Sequence, residues 1–131
     1  MPSIHNMKIG VIAHLKHAIR EPYAGGLEMH TRFLCEQLQK RRHAVTLFAA
    51  RGTDMACTEP VCDPIHDNAD SFATEHGIYG DLMNQLQNAD FDIVHRNSLH
   101  YLPIAMASVL PMPMVTTLHT PPFWEMEGSL R

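Results

Sequence analysis

Three groups of residues in this chain have the types and spacing to do chemistry. The first is Pro22-Tyr23-Ala24-Gly25-Gly26-Leu27-Glu28, set between an apolar run, Lys8-Ile9-Gly10-Val11-Ile12-Ala13, and an amphipathic stretch from Leu27 to Arg42. A strand passing through a paired-glycine turn into a helix suits an anion, because the first helical amides have no intrahelical partner and the dipole there favours negative charge. Glycine also admits positive φ and lets the backbone come close to a ligand. Glu28 falls in the first helical turn, where a carboxylate is favourable with or without a ligand. The other two groups are His95-Arg96-Asn97-Ser98 and His119-Thr120-Pro121-Pro122, each following an apolar run. The chain has no full dinucleotide fingerprint and no phosphate-loop lysine motif, so a plain strand-to-helix joint is the competing reading of the glycines.

Metal chemistry has weaker support. Of ten histidines, the pairs His14 and His17 or His95 and His100 match no recognised zinc spacing, and no metal is expected. Cys35, Cys57 and Cys62 are odd in number and lack zinc-finger spacing. They read as reduced thiols, Cys35 on a helix and the other two in a loop.

The elements that must position these groups alternate between strand and helix. Residues 8–13 read as a buried strand and 27–42 as a helix with Leu27, Thr31, Leu34 and Leu38 on one face. Residues 44–50 read as a second strand, and 51–70 as a long connection holding one short strand near Val61. A helix is expected within 71–89, with Ile78, Tyr79, Leu82, Met83 and Leu86 on one side and Gly77 and Gly80 weakening its first half. Then come a strand over 91–95, a short helix around 99–108 with Ser98 as a possible N-cap, an exit at Pro111 and Pro113, and a strand over 114–118. Met106, Met112 and Met114 read as core filler.

This is an α/β, Rossmann-like pattern: a parallel sheet with flanking helices, the first strand lying between the second and that of residues 91–95. Ligands of such sheets sit beyond the carboxyl ends of the strands. His14, His95 to Asn97, and His119 with Thr120 all fall there.

Composition sets the remaining bounds. With 131 residues, 45% hydrophobic and 18% charged, the chain can form a core as one domain or part of one. A net charge of −4 argues against nonspecific nucleic-acid binding, and the basic run Lys40-Arg41-Arg42 sits where cations complement a helix end. No stretch approaches the roughly 18 apolar residues of a membrane span, and the first residues lack a signal peptide's plan, so a cytoplasmic, soluble protein is expected.

In order along the chain, the first strand with Pro22-Tyr23-Ala24-Gly25-Gly26-Leu27-Glu28, then His43-Ala44-Val45-Thr46-Leu47-Phe48-Ala49, Phe91-Asp92-Ile93-Val94-His95 and Thr116-Thr117-Leu118-His119-Thr120-Pro121 resemble the amino-terminal domain of family 4 retaining glycosyltransferases of the GT-B fold. The resemblance implies transfer of a sugar from a nucleotide-sugar donor to an acceptor held mostly by this domain, with the anomeric configuration retained and no obligatory metal or cofactor. It implies that Gly25 and Gly26 bring amides near the donor diphosphate or the acceptor, and that His119 is the catalytic-site histidine positioning the donor sugar. Glu28, His95 and Thr120 become substrate-binding candidates. Phe123 and Trp124 could stack on a ring or pack structurally.

Two departures from the family pattern carry expectations. Arg42 stands where the family usually has glycine before the helix-ending histidine. A left-handed non-glycine there would cost roughly 1 kcal/mol, so a different C-cap is expected. The chain also reads as partial: residues 1–131 cover part of the acceptor-side domain, and the carboxyl-terminal nucleotide-sugar domain with its paired glutamates is absent. The isolated chain is therefore expected to be inactive, to bind sugar nucleotides weakly or not at all, and to self-associate or be marginally stable through the edge near Met114 to Leu118. The alternative is a standalone Rossmann-like binding module or subunit without catalysis. A nicotinamide-dependent oxidoreductase would need an acidic residue after the second strand, and Ala49-Ala50-Arg51-Gly52 has none.

Overall fold

The computed structural model describes residues 6–65, 71–98 and 102–117. Five strands, β1 (Lys8–Ala13), β2 (Ala44–Ala50), β3 (Thr58–Cys62), β4 (Ile93–Asn97) and β5 (Met114–Thr116), form one sheet in the order β3-β2-β1-β4-β5. Every described pairing is parallel. Helix α1 (Gly26–Lys40) joins β1 to β2, α2 (Ser71–Leu86) precedes β4, and the short α3 (Leu102–Ala105) with a 3₁₀ turn (Ala107–Val109) precedes β5. The expected Rossmann-like class and the central place of β1 are borne out.

Alternation along the strands assigns the two faces. Ile9, Val11 and Ala13 of β1 with Leu47 and Ala49 of β2 pack with Cys35 of α1. Ile12, Phe48 and Val94 face the other way and pack with Tyr79, Leu82, Met83 and Leu86 of α2. Gly10 faces that second side, and a Cβ there would stand 3.3 Å from both the Phe48 and Phe91 rings. Those rings meet edge to face with centroids 5.8 Å apart, so the glycine makes room for an aromatic pair. Met112 is buried in the same cluster, and Met106 and Met114 pack against it, as expected of core filler.

Five assignments differ from expectation. Helix α1 ends at Lys40 rather than Arg42, and Arg42 takes φ +68. The Arg42 amide donates to the Gln39 carbonyl and the His43 amide to that of Leu38. This is the paired bonding of a Schellman motif with arginine in the position usually given to glycine, so the left-handed residue is present but the cap is not built differently. Strand β4 runs from Ile93 to Asn97 instead of 91–95, because Ile93 through Asn97 pair with Ile9 through Ala13. Phe91 is spent on the ring contact, and Asp92 exchanges bonds with the Lys8 backbone. Cys62 lies in β3 rather than a loop. Ser98 is buried beyond β4, and the described helical turn begins only at Leu102, with residues 99–101 outside the described residues. Of the strand expected over 114–118, the described part ends at Thr116, while Leu118, His119, Thr120, Phe123 and Trp124 lie outside.

Candidate functional site

The chain goes from β1 through α1 to β2 and β3 on one side of the sheet, and α2 then returns it to place β4 on the other side of β1. Neighbouring strands whose connections leave in opposite directions make a switch point, where ligands of open parallel sheets bind. Here that crevice lies beyond the carboxyl ends of β1 and β4, with Ala13 level with Asn97. The amino terminus of α1 follows the loop that leaves β1.

Gly25 is the N-cap of α1 with φ −170 and ψ −177, an extended conformation, and no side chain caps the helix. The expectation of positive φ at the glycine pair is overturned. The positive-φ glycine among the described residues is Gly52, in the turn after β2. What Gly25 and Gly26 provide is space: among the described residues, leaving aside chain neighbours and the helix's own backbone, nothing lies within 4 Å of where a Gly26 Cβ would stand, and a Gly25 Cβ would meet Glu28 Oε2 at 3.7 Å. The first amides of α1 therefore sit under an uncovered surface. Glu28 is nearly buried at the third helical position, from which a carboxylate can reach back toward the N-cap. That placement gives it a structural reason to be acidic.

One turn further, Thr31 is buried and its hydroxyl donates to the Leu27 carbonyl at 2.8 Å. Asn97, fully buried at the end of β4, brings its Nδ2 to 2.6 Å from Thr31 Oγ1 and 3.2 Å from His30 Nδ1. These contacts bind the first turns of α1 to the switch-point strand. His95, two positions earlier on the same face of β4, points its Nε2 at Thr117 Oγ1, 2.7 Å away beyond β5. It engages the β5 side rather than α1.

The opposite face of the same strand end carries a second polar group. Arg96 is fully buried, and burial pushes its guanidinium down to about 10, with Tyr79 partly opposing the shift. It is still a cation at neutral pH. Tyr79 of α2 donates to the Ala13 carbonyl at 3.0 Å. Burial raises its hydroxyl pKa, and the charge of the nearly buried Glu75 adds to that. Glu75 stands 3.8 Å from Lys16 in the loop after β1. This group ties α2 to the last carbonyl of β1 and the start of the loop that leads to Gly25.

Of the residues singled out in the sequence, Gly25, Gly26 and Glu28 are brought together at the crevice, and His95 is directed to β5. His119 and Thr120 lie outside the described residues. His30, Thr31, Tyr79 and Glu75 were not read as site residues. His30 carried a usable signal, because it follows Gly26 at i+4 and so shares its helix face. Among the described residues no group of three or more His, Cys, Asp or Glu could hold a metal. A separate cavity of about 280 Å³ lies between β3 and α2, lined by Phe48, Pro60, Val61, Ile78 and Leu82 together with Glu59 and Asp81.

Sheet order, helix placement and an open helix terminus at the switch point define a doubly wound, Rossmann-like α/β protein. The chain belongs to Glycosyltransferase Family 4, whose profile matches residues 24–131. Its function is accordingly of glycosyltransferase type. A comparison with curated proteins gives no match. Among the described residues no helix is long and apolar enough to cross a membrane.

Proposed function

We propose that this chain is the acceptor-side, amino-terminal part of a retaining glycosyltransferase of the GT-B fold, which moves a sugar from a nucleotide-activated donor to an acceptor. The observation that carries the reading is the uncovered amino terminus of α1 at the switch point, within a chain of glycosyltransferase family 4. Unpaired amides and the positive end of the dipole favour a diphosphate there, and the absence of a Cβ at Gly25 and Gly26 lets it approach the backbone. Glu28 shapes this turn, His95 is assigned to the acceptor side, and Thr120 is assigned to substrate binding. His119 is assigned to the donor sugar as the catalytic-site histidine. Cytoplasmic location belongs to the same reading.

A second domain carrying most nucleotide contacts is required to close the cleft, exclude water and stabilise the departing diphosphate. Alone, the 131 residues transfer no sugar and bind sugar nucleotides more weakly than micromolar. The test is a transfer assay on the product of the whole reading frame that encodes this chain, against a panel of uridine and guanosine sugar nucleotides. Product of retained configuration from the whole product and none from the chain alone supports the reading. Micromolar binding by the isolated chain in calorimetry, or inverted product, contradicts it.

A further inference from the structure

We propose that the outer face of α1 docks on an anionic lipid surface, with Met29 and Phe33 entering among the lipids and Lys40, Arg41 and Arg42 meeting the headgroups. This role is independent of the reaction assigned above.

The two sides of α1 are unlike. Thr31 and Cys35 are buried on the sheet side, whereas Met29 and Phe33, one turn apart, are 56% and 59% exposed. Of the exposed large apolar side chains among the described residues, these two alone share an element; Phe72, Val109 and Val115 come singly from α2, the 3₁₀ turn and β5. Lys40 lies two turns beyond Phe33 and so on the same side of the helix. Lys40, Arg41 and Arg42 are all exposed, and among the described residues none of them is in an ion pair. From Met29 to Arg42 the chain carries Arg32, Lys40, Arg41 and Arg42 against Glu36 alone, and Glu36 stands 3.8 Å from Arg32. The segment is thus strongly positive in a chain whose net charge is −4. The helix dipole accounts for cations at this end, but not for a phenylalanine and a methionine held in water on the same side.

An exposed apolar pair followed by a basic run suits the boundary between headgroups and acyl chains, where the ring and the thioether enter the apolar layer and the cations meet lipid phosphates. A protein partner fits less well. A stable protein interface buries about 800 Å² on each side around an apolar centre larger than two side chains. With α1 lying along the surface, its Gly25 end and the crevice beyond it come to the level of the headgroups.

The test is flotation of the product of the whole reading frame with vesicles of phosphatidylcholine alone, or of phosphatidylcholine mixed equally with phosphatidylglycerol. Expected is binding to the mixed vesicles that weakens as salt is raised, and none to phosphatidylcholine alone. Lys40→Gln with Arg41→Gln weakens binding about twentyfold, at about fivefold for each cation. Met29→Gln with Phe33→Gln weakens it about tenfold. All four positions are exposed, so melting temperatures stay at that of the parent. In a Phe33→Trp variant the added emission shifts to the blue on the mixed vesicles and is quenched by bromine on the acyl chains. No binding to the mixed vesicles overturns the proposal and leaves the face to a protein partner. Binding that both double variants retain overturns it as well, by placing the contact elsewhere on the molecule. Equal binding to phosphatidylcholine alone overturns the pairing of charge with headgroup. A loss confined to the charge variant, with the Phe33→Trp emission unquenched, overturns the insertion.

Discussion

Thr31 and Asn97 are 66 residues apart in the chain and their side chains meet at 2.6 Å, joining α1 to the end of β4 in the buried floor of the crevice. Thr31→Val keeps the shape and removes the acceptor, leaving a buried amide hydrogen unpaired. A loss of about 1–3 kcal/mol is expected in chemical denaturation, with a smaller loss for Thr31→Ser, which keeps the hydroxyl. A valine variant as stable as the parent would mean that this contact does not hold the helix to the strand.

Tyr79 makes the corresponding tie on the other face, through the Ala13 carbonyl. Tyr79→Phe fills the same space and removes only the donor, so a loss of about 1–2 kcal/mol is expected, with faster hydrogen exchange in the loop after β1. Unchanged exchange in that loop would show that Tyr79 supports α2 alone.

Arg42 holds a left-handed φ of +68 that glycine adopts without steric cost. Arg42→Gly is expected to stabilise the chain by about 1 kcal/mol, raising its melting temperature by several degrees. A lower melting temperature would indicate that the arginine side chain contributes more than its backbone conformation costs.

Cys35 leads the alkaline limb of stability, and Cys57 and Cys62, whose thiols burial also raises, add to it in the same direction. Burial in the α1 face raises its thiol from 9.0 to about 12. With the folded value raised, both states are protonated below 9 and the contribution is complete; above 9 the unfolded chain ionises first and stability falls. The expected slope is on the order of 1 kcal/mol per pH unit between about 9 and 10. Tyr79 shifts in the same direction above 10, while Arg96, lowered from 12.5, opposes it only above about 10. Cys35→Ala is expected to be less stable at pH 7 and flatter between pH 9 and 10, in denaturation at stepped pH. An unchanged slope would place the alkaline loss elsewhere.

The sheet was legible because its strands are short apolar runs separated by helical periodicity, as in Ile9 to Ala13 and Ala44 to Ala50. The end of β4 was not, because Arg96 and Asn97 look like loop residues. They are strand residues whose polar groups bond across to α1 or lie against α2, and only the register with β1 reveals it. The glycine pair was found for partly the wrong reason: both φ values are ordinary, and the open space above Gly26 depends on tertiary packing that local sequence does not encode. His30 escaped notice because its partner is 67 positions away.

The central claim is that the open turn at Gly26 seats the substrate's phosphate. Gly26→Ala, made in the product of the whole reading frame, tests it, because an added methyl meets no atom of the other described residues within 4 Å, apart from its chain neighbours and its own helix backbone, and alanine is a good helix former. The measurement is the KM for the sugar nucleotide, taken beside the melting temperature. The account predicts a melting temperature unchanged or slightly higher and a KM raised about tenfold, since the methyl occupies the approach to the helix amides. An unchanged KM with intact transfer would contradict it and leave the paired glycines as a joint between strand and helix.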